Sequence, residues 1–512
     1  MSDGSRETTA RRLHDLLETE GSAVRDATTT FNAGRYDSLR ELDDPDEIRA
    51  RARAIKEDAI ERLPALLDEL TEAVESNGGH VHLASDADEA NHAVRSILRA
   101  HDAVVVVKSK SMTTEEIDLN EAIEADGVDV WETDLGEFIV QLADESPSHI
   151  TAPAIHRSQA AIAELFETHF DLDQPLQDAE SLTRFARAVL TEHITAADVG
   201  ITGANFIAAD SGTIALVTSE GNARKCVATP PVHVAVAGVE KVIPSVADLE
   251  PFIELLARSA IGQDVSAYLS LFTPPVETPV PAFDAPDEPI DAGETEREFH
   301  LVLLDNGRFD LRDDDDLRET LYCIRCSACA NSCANFQHVG GHAFGGESYS
   351  GGIATGWETG VHGIESAATF NDLCTGCTRC APNCPVEIDI PWINTVVRDR
   401  LNREGSTGWA SSIYHGLRPD ESGGVTLQQR AVANVDRALA VANRLAPAST
   451  AIAETRPVRA MLDRVLGIDR RRALPTVSDE RFTTWASRRR AEPEDDPPVV
   501  FYPDIYTEYI RP

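Results

Sequence analysis

Through the first 75 residues the apolar positions recur at helical steps. Leu13, Leu16 and Leu17, then Ile48, Ile55, Ile60, Leu63, Leu66 and Leu67, stand among acids and arginines. That spacing predicts helices with one apolar face. They serve either as an oligomerisation arm or, the more common arrangement, as packing on their own domain. From Gly79 to about Pro274 the pattern changes. Short β-branched runs at 81–83, 103–107, 128–131, 214–217 and 232–236 read as strands, and 87–100, 113–126, 157–169 and 177–190 read as helices. The alternation predicts a mostly parallel sheet covered by helices. Ligands on such sheets bind outside the carboxyl ends of the strands. Pro153 to His156 reads as the end of a further strand, its histidine structural. Proline and acid dominate 275–291, a semi-rigid linker. Leu301 to Arg308 then reads as a strand ending in an Asn-Gly turn. Beyond Pro391, helical periodicity returns at 392–402, 425–446 and 456–467. An acidic linker at 492–498 leads to a terminal strand from Val499. The expected divisions are 1–75, 76–274, 275–310, 311–400, 401–490 and 491–512.

Composition narrows the possibilities. A formal net charge of −41 argues against nucleic-acid binding, which wants a basic footprint. Lysine occurs only at 56, 108, 110, 225 and 241, and arginine carries nearly all the remaining positive charge. An acid-rich, lysine-poor surface suits concentrated salt, where charge repulsion is screened, so a halophilic cytoplasm is expected. A docking face for a basic partner is the alternative. No apolar stretch approaches a membrane span, and the polar start at Met1 is not a signal peptide.

Eight of the nine cysteines fall between 323 and 384. They read Cys323-x2-Cys326-x2-Cys329-x3-Cys333 and Cys374-x2-Cys377-x2-Cys380-x3-Cys384-Pro385. A C-x2-C-x2-C run places three thiolates on one turn, and the fourth cysteine ligates the other cluster. The expected sets are Cys323, Cys326, Cys329 and Cys384 for one [4Fe-4S] cluster, and Cys374, Cys377, Cys380 and Cys333 for the second. Zinc would ask for paired C-x2-C units without a third cysteine at the same step. Cysteines two residues apart rarely meet disulfide geometry. Cys226 stands apart and reads as a packed thiol. His338, His342 and His362 are not needed as ligands beside two complete sets. The glycines between 340 and 352 are expected to bring backbone N–H groups to the cluster sulfurs. Ala334 stands where proline commonly follows the fourth cysteine, which predicts a looser or more exposed first cluster.

Several polar stretches follow the predicted strands. Lys108 to Glu116 opens a helix and offers hydroxyls, two lysines and a helix N-terminus to an anion, although Thr113 and Glu116 also form a capping box. Glu132 and Glu137 lie in an acid-rich turn. Gly200–Asn205 and Ala209–Thr213 suit a β-hairpin or a binding loop. The segment 219–225 combines Glu220, Asn222 and Lys225 beside a glycine. Four of the five lysines fall in or beside these loops. The candidate anion or substrate residues are therefore Lys108, Lys110, Glu132, Glu137, Asn205, Glu220, Asn222 and Lys225. No G-x-G-x-x-G opens a βαβ unit, so flavin and nicotinamide are not expected.

The text from Lys108-Ser-Lys-Ser-Met-Thr-Thr-Glu-Glu116 through Glu132-Thr-Asp-Leu-Gly-Glu137, Thr202-Gly-Ala-Asn205 and Glu220-Gly-Asn-Ala-Arg224 to Gly238-Val-Glu-Lys241 resembles the lactate-utilisation (LUD) domain. With two ferredoxin-type motifs following, the order resembles the lactate utilisation protein B family over roughly residues 50 to 490. The resemblance implies an α/β domain of the sugar-phosphate isomerase and CoA-transferase group, followed by an all-α, ferredoxin-like dicluster domain. It implies an electron-transfer subunit of a complex oxidising lactate, a 2-hydroxy acid, to pyruvate. It assigns no catalytic residue. Implied partners are a second LUD-domain subunit and a cysteine-rich subunit of the heterodisulfide-reductase type. The end of the chain resembles the opening of such a cysteine-rich domain, with Asp504 where a cysteine often stands; docking on a separate subunit that carries the domain, or a tail strand added to the α/β domain, are the alternatives. Two alternatives stay open: a conduit for another flavoprotein dehydrogenase, of the glycolate or glycerol-3-phosphate kind, and a ligand- or redox-sensing regulator.

Overall fold

The strands form where the β-branched runs predict them. In the computed structural model the described residues are 6–172, 174–176, 178–218, 221–264, 268–276, 278–281, 283, 297–404, 431–446, 448–466, 468–489 and 501–510. In chain order the strands are β1 (His80–Ala84), β2 (Val105–Lys108), β3 (Asp129–Glu132), β4 (Val199–Thr202), β5 (Phe206–Ala208), β6 (Thr213–Thr218), β7 (Val232–Gly238), β8 (Val242–Ile243), β9 (Tyr268–Phe272) and β10 (Glu298–Leu304). Six build an all-parallel sheet in the order β1-β10-β7-β4-β2-β3. Strand β7 is buried along its whole length. Its near-continuous apolar run is what a strand covered on both faces requires. On one face Val106, Ile201, Val234 and Val302 meet Val94, Ile97 and Leu98 of the helix Ala87–Ala100. On the other, Ala235, Phe299, Leu301 and Leu303 meet Leu63, Leu66 and Leu70 of the helix Leu63–Ser76.

A second sheet, β8-β5-β6-β9, carries the antiparallel hairpin β5–β6. Of the stretch 209–213, residues 209–212 are thus its turn and Thr213 opens β6, while Gly200 to Thr202 belongs to β4 of the main sheet. Strand β10 follows the linker in sequence yet lies between β1 and β7, so the segment 275–310 supplies an inner strand of the α/β sheet.

Three local expectations fail. The helix expected at 113–126 is two short helices, Met112–Glu115 and Leu119–Glu124, parted by the left-handed Asp118 (φ 49°). The break lets Glu116 turn inward to Arg308, Asn306 and Tyr349. Pro153 to His156 is a turn. Its His156 is held by Ser148 and Glu145, each at 2.9 Å, in a structural role. At the end of the chain, residues 501–504 are irregular and 505–509 form a short helix instead of a strand. Asp504 is its N-cap, accepting from the Thr507 N–H at 2.7 Å. Residues 499 and 500 and the expected helical start at 425–430 lie outside the described residues.

The N-terminal helices pack on their own chain. Pro45–Glu61 starts at an Asp44 cap that accepts from the Glu47 N–H, with proline in its first turn. Gly21–Leu39 lies against the helix Glu250–Ile261 and also against Ala328–Ser332 and Phe336–Val339 of the cysteine segment. Between residues 311 and 389 the regular elements are short helices and turns, with one isolated bridge at Gly345 and Ser350, and the longer helix Ile390–Glu404 follows. Residues 10–399 make one compact unit, and residues 1–9 with 400–512 make another. Within the latter, Glu508 accepts from Arg481 at 2.6 Å and Thr483 at 2.8 Å, tying the helix Ile505–Tyr509 to Phe482–Arg488. Among the described residues no helix is long and apolar enough to cross a membrane.

Candidate iron–sulfur centre and adjoining cavity

The fold crosses the two cysteine runs. Cys323, Cys326 and Cys329 line one recess together with Cys384, under the apolar cover of Ile324, Ile353, Val386 and Ile388. Cys333 instead lies within electrostatic reach of Cys377 and Cys374, and Cys380 senses Cys374, Cys333 and Cys377. The turns that present the thiols need unusual backbone: Arg325, Ser327 and Thr378 are left-handed at φ 59°, 60° and 62°. That geometry aims N–H groups at sulfur, and the Arg325 N–H donates to Cys323 Sγ at 3.3 Å. Ile353 likewise approaches Cys329, and Val386 and Ile388 approach Cys384. Arg49 from the N-terminal helices donates to the Cys384 carbonyl at 2.9 Å and fixes that turn.

Without metal, burial makes Cys326, Cys329, Cys333, Cys380 and Cys384 resist ionisation. Burial, then Cys384 and Cys323, raise the Cys326 thiol. Burial raises Cys384 to about 11, and burial with Cys374 and Cys333 raises Cys380 to about 12. Four crowded sulfurs repel one another as thiolates, and bound iron supplies the compensating charge. The residues present therefore fit two [4Fe-4S] clusters, one per set of four.

The two cradles differ in exposure, and not in the expected sense. Cys326, Cys329 and Cys384 are buried, whereas Cys377 is exposed and Cys374, Cys380 and Cys333 are intermediate. The first site is the enclosed one because the α/β sheet loops and the N-terminal helices cover it. The glycine loop meets the expectation at its end, where the Ile353 N–H that follows Gly352 approaches Cys329, while farther upstream its N–H groups turn to a carboxylate. The N–H groups of Glu347, Ser348 and Tyr349 all bond the Glu358 carboxylate, at 3.1, 3.1 and 2.7 Å. Gly346 has no room for a Cβ because that carboxylate presses on it. His338, His342 and His362 bond Ala334, Glu20 and Ser348 respectively.

Beside the first cradle lies a buried ion network. Arg308 reaches both Glu116 oxygens at 2.9 and 2.8 Å and also Glu240, while Arg325 meets Glu240 at 2.8 Å. Lys56 donates to the Glu240 carbonyl, and Lys241 Nζ is 3.9 Å from its carboxylate. Burial opposes the Glu240 charge, yet Arg308, Arg325, Lys241 and Lys56 hold its carboxyl well below the usual range. Burial and then Arg325 lower Lys241 to about 7. Arg308, Arg325, Lys56 and a Lys241 only partly protonated at neutral pH thus face two carboxylates, with Lys56 and Lys241 within electrostatic reach of Cys323. Gly238 makes the network possible: a Cβ there would fall 2.0 Å from Glu240 Oε2.

The network opens on a cavity of about 260 Å³ at the carboxyl ends of the parallel strands. Its wall includes Ser109, Lys110, Asn205, Asn222, Lys241 and Arg325. Ile150, Ile324 and Arg325 line both this cavity and the first cradle. Of the candidate anion residues, the structure brings Lys110, Asn205 and Asn222 to this wall. Asn205 spends its Oδ1 on the Val217 N–H at 2.8 Å. Lys110 sits 3.4 Å from Glu137, whose carboxyl is pushed up to about 8 by burial against the pull of Lys110.

The other candidates lie elsewhere. Lys108 is fully buried and bonds Thr114 and Glu115 at 2.9 Å and Glu132 at 2.6 Å, so its charge serves those carboxylates rather than the cavity. Glu132 and Glu137 border a separate acidic recess with Glu115 and Glu121. Lys225 lines a third recess with Thr133 and Arg187. Glu220 lies outside the described residues. Cys226 is buried, its thiol pushed up to about 12 by burial and set 3.4 Å from Thr133 Oγ1. Sequence reasoning passed over Lys241 and Arg325. Their signals were a lysine in a lysine-poor chain and an arginine between two ligand cysteines.

The LUD domain model matches residues 67–280, and the 4Fe-4S dicluster domain model matches residues 319–388. Lactate utilization protein B of Bacillus licheniformis is 38% identical over 398 residues, covering 77% of this chain and 80% of that protein. Its namesake in Bacillus subtilis is 38% identical over 370 residues, 72% of this chain and 74% of that one. An uncharacterized electron transport protein of Escherichia coli is 37% identical over 378 residues, 74% and 76%.

Proposed function

Because this chain belongs to the lactate utilisation protein B family, we propose that it is the iron–sulfur electron-transfer subunit of a complex that oxidises lactate, or a related 2-hydroxy acid, to the 2-oxo acid, pyruvate for lactate. The observation that carries this reading is the wall shared by the strand-end cavity and the buried cysteine cradle, through Ile150, Ile324 and Arg325. When bound, the two clusters supply one-electron transfer. The protein's own groups do the rest. Eight thiolates hold the iron, and backbone N–H groups bond the sulfurs and favour added negative charge. Lys56 and Lys241 supply positive charge next to Cys323, which favours reduction at that end. The exposed Cys377 puts the second cradle at the surface, where a partner can exchange electrons. The partners that fit are a cysteine-rich subunit of the heterodisulfide-reductase type and a second LUD-domain subunit, in the cytoplasm.

The test is anaerobic reconstitution in high salt, iron and sulfide counting, and EPR before and after dithionite or L- or D-lactate. About eight irons and signals with dithionite alone support an electron-transfer subunit that depends on its partners. Signals with lactate alone would move substrate oxidation onto this chain. Zinc in place of iron, or fewer than about four irons, overturns the reading.

A further inference from the structure

At the amino ends of the parallel strands, opposite the cavity, the apolar layer beneath the helix Ala87–Ala100 ends in a group of histidines. On that face of the sheet Ala84, Val302 and Leu304 are core residues. One or two steps back along the same strands, on the same face, stand His80 and His82 of β1 and Glu298 and His300 of β10. His101 closes the helix as its C-cap and meets them. His300 Nε2 lies 2.7 Å from Glu298 Oε1, and His101 Nε2 lies 3.3 Å from Glu298 Oε2. One donor atom from each of the three lies within 4.8 Å of the others.

We propose that His101, Glu298 and His300 form a site for one zinc-class divalent cation, with His82 as the residue that orients His300. Two imidazoles and a carboxylate suit Zn2+, and donors about 3.4 Å apart fit tetrahedral bonds of about 2.1 Å. The arrangement behind the ligand set is the more specific sign. His82 Nε2 is 3.0 Å from His300 Nδ1, so His300 can offer Nε2 to a metal while its Nδ1–H donates to His82. Metal-binding histidines are almost always oriented by such a partner on the second ring nitrogen. The stacked His80 ring, centroid 4.9 Å away, holds His300 from another side. The cation would also sit at the carboxyl end of a 14-residue helix, where the helix dipole favours positive charge. Access is open, since the His101 and Glu298 side chains are 27% and 39% exposed, and water completes the fourth position. The ion would tie β1, β10 and the turn after the helix together, far from the cysteines.

The experiment uses the reconstituted protein with both clusters loaded, so that the eight ligand thiolates are engaged. Co2+ is titrated while ligand-field absorption is followed, and Zn2+ is then added to displace it. One equivalent with tetrahedral bands, displaced by Zn2+ and with iron content unchanged, is expected. His101→Ala, on a partly exposed turn, should abolish the bands with no change in circular dichroism. His82→Ala should keep the 1:1 ratio and weaken binding roughly 10- to 100-fold. Weak octahedral binding only, as the acidic surface alone would give, or tetrahedral binding unaffected by His101→Ala, would overturn the proposal.

Discussion

Pairs of cysteine substitutions read the crossed ligation directly. Cys323→Ser with Cys384→Ser removes two of the four sulfurs around one recess. Cys323→Ser with Cys333→Ser removes one sulfur from each recess, because Cys333 sits among Cys374, Cys377 and Cys380. Both variants lose the same number of thiols, so general destabilisation does not separate them. The arrangement does. With two ligands gone from one site and four intact at the other, the first variant should retain about four of about eight irons and one ordinary reduced-cluster EPR signal. The second should damage both sites and give no intact four-iron signal. The surviving cluster in the first variant is the exposed one, held by Cys374, Cys377, Cys380 and Cys333, and should react with external reductant or chelator as fast as in the parent. Iron and sulfide analysis with low-temperature EPR on anaerobically reconstituted protein makes the comparison. The opposite pattern, an intact cluster in the Cys323/Cys333 variant and none in the Cys323/Cys384 variant, would show each run closing on itself and refute the reasoning.

Three further outcomes follow from packing and charge. Arg308→Met takes the guanidinium partner from the buried Glu116 and one of several cations from Glu240, and should lower stability by about 3–5 kcal/mol; adding Glu116→Gln should restore part of it, and an unchanged urea midpoint would contradict the network. His233 is buried and neutral, its imidazole lowered to about 3 by burial and then by Arg297. Below about pH 6.5 the unfolded chain binds a proton that the folded one refuses, so stability falls with acid through the window from 6.5 to about 3, reaching about 2 kcal/mol at about pH 5. His233→Gln should shrink the difference between midpoints at neutral and mildly acid pH, and an equal difference in both proteins would sink the assignment. Gly200→Ala puts a Cβ 1.8 Å from the Cys226 carbonyl oxygen; a loss of at least about 1–3 kcal/mol is expected from overpacking, read as a lower thermal midpoint.

The cysteine spacing, the β-branched runs and the amphipathic stretches are local properties, and each was legible residue by residue. Three thiols on one turn announce a cluster because the chemistry of ligation lies within seven residues, Cys323 to Cys329. A run such as Val232 to Val236 announces a buried strand because only a sheet covered on both faces accepts it. Long-range relations were less accessible. Lys108 and Lys110 look alike in sequence, yet β2 carries Lys108 into a nest of Thr114, Glu115 and Glu132 while Lys110, two residues on, reaches the cavity wall. The break at Asp118 was hidden because the contact it permits, Glu116 bonding Arg308, joins positions 192 residues apart.

The sequence by itself therefore determined the cofactor chemistry, the parallel α/β class and the order of the parts, since each depends on residue type and short spacing. The tertiary structure alone decided which cradle is enclosed, that β10 enters the sheet between β1 and β7, and that Arg325 borders both cavity and cluster site. Those facts depend on burial, and burial is set by chain segments that meet only after folding, when a charge such as Glu240 loses water and must find partners far along the chain, Arg308 and Arg325 at 68 and 85 residues and Lys56 at 184.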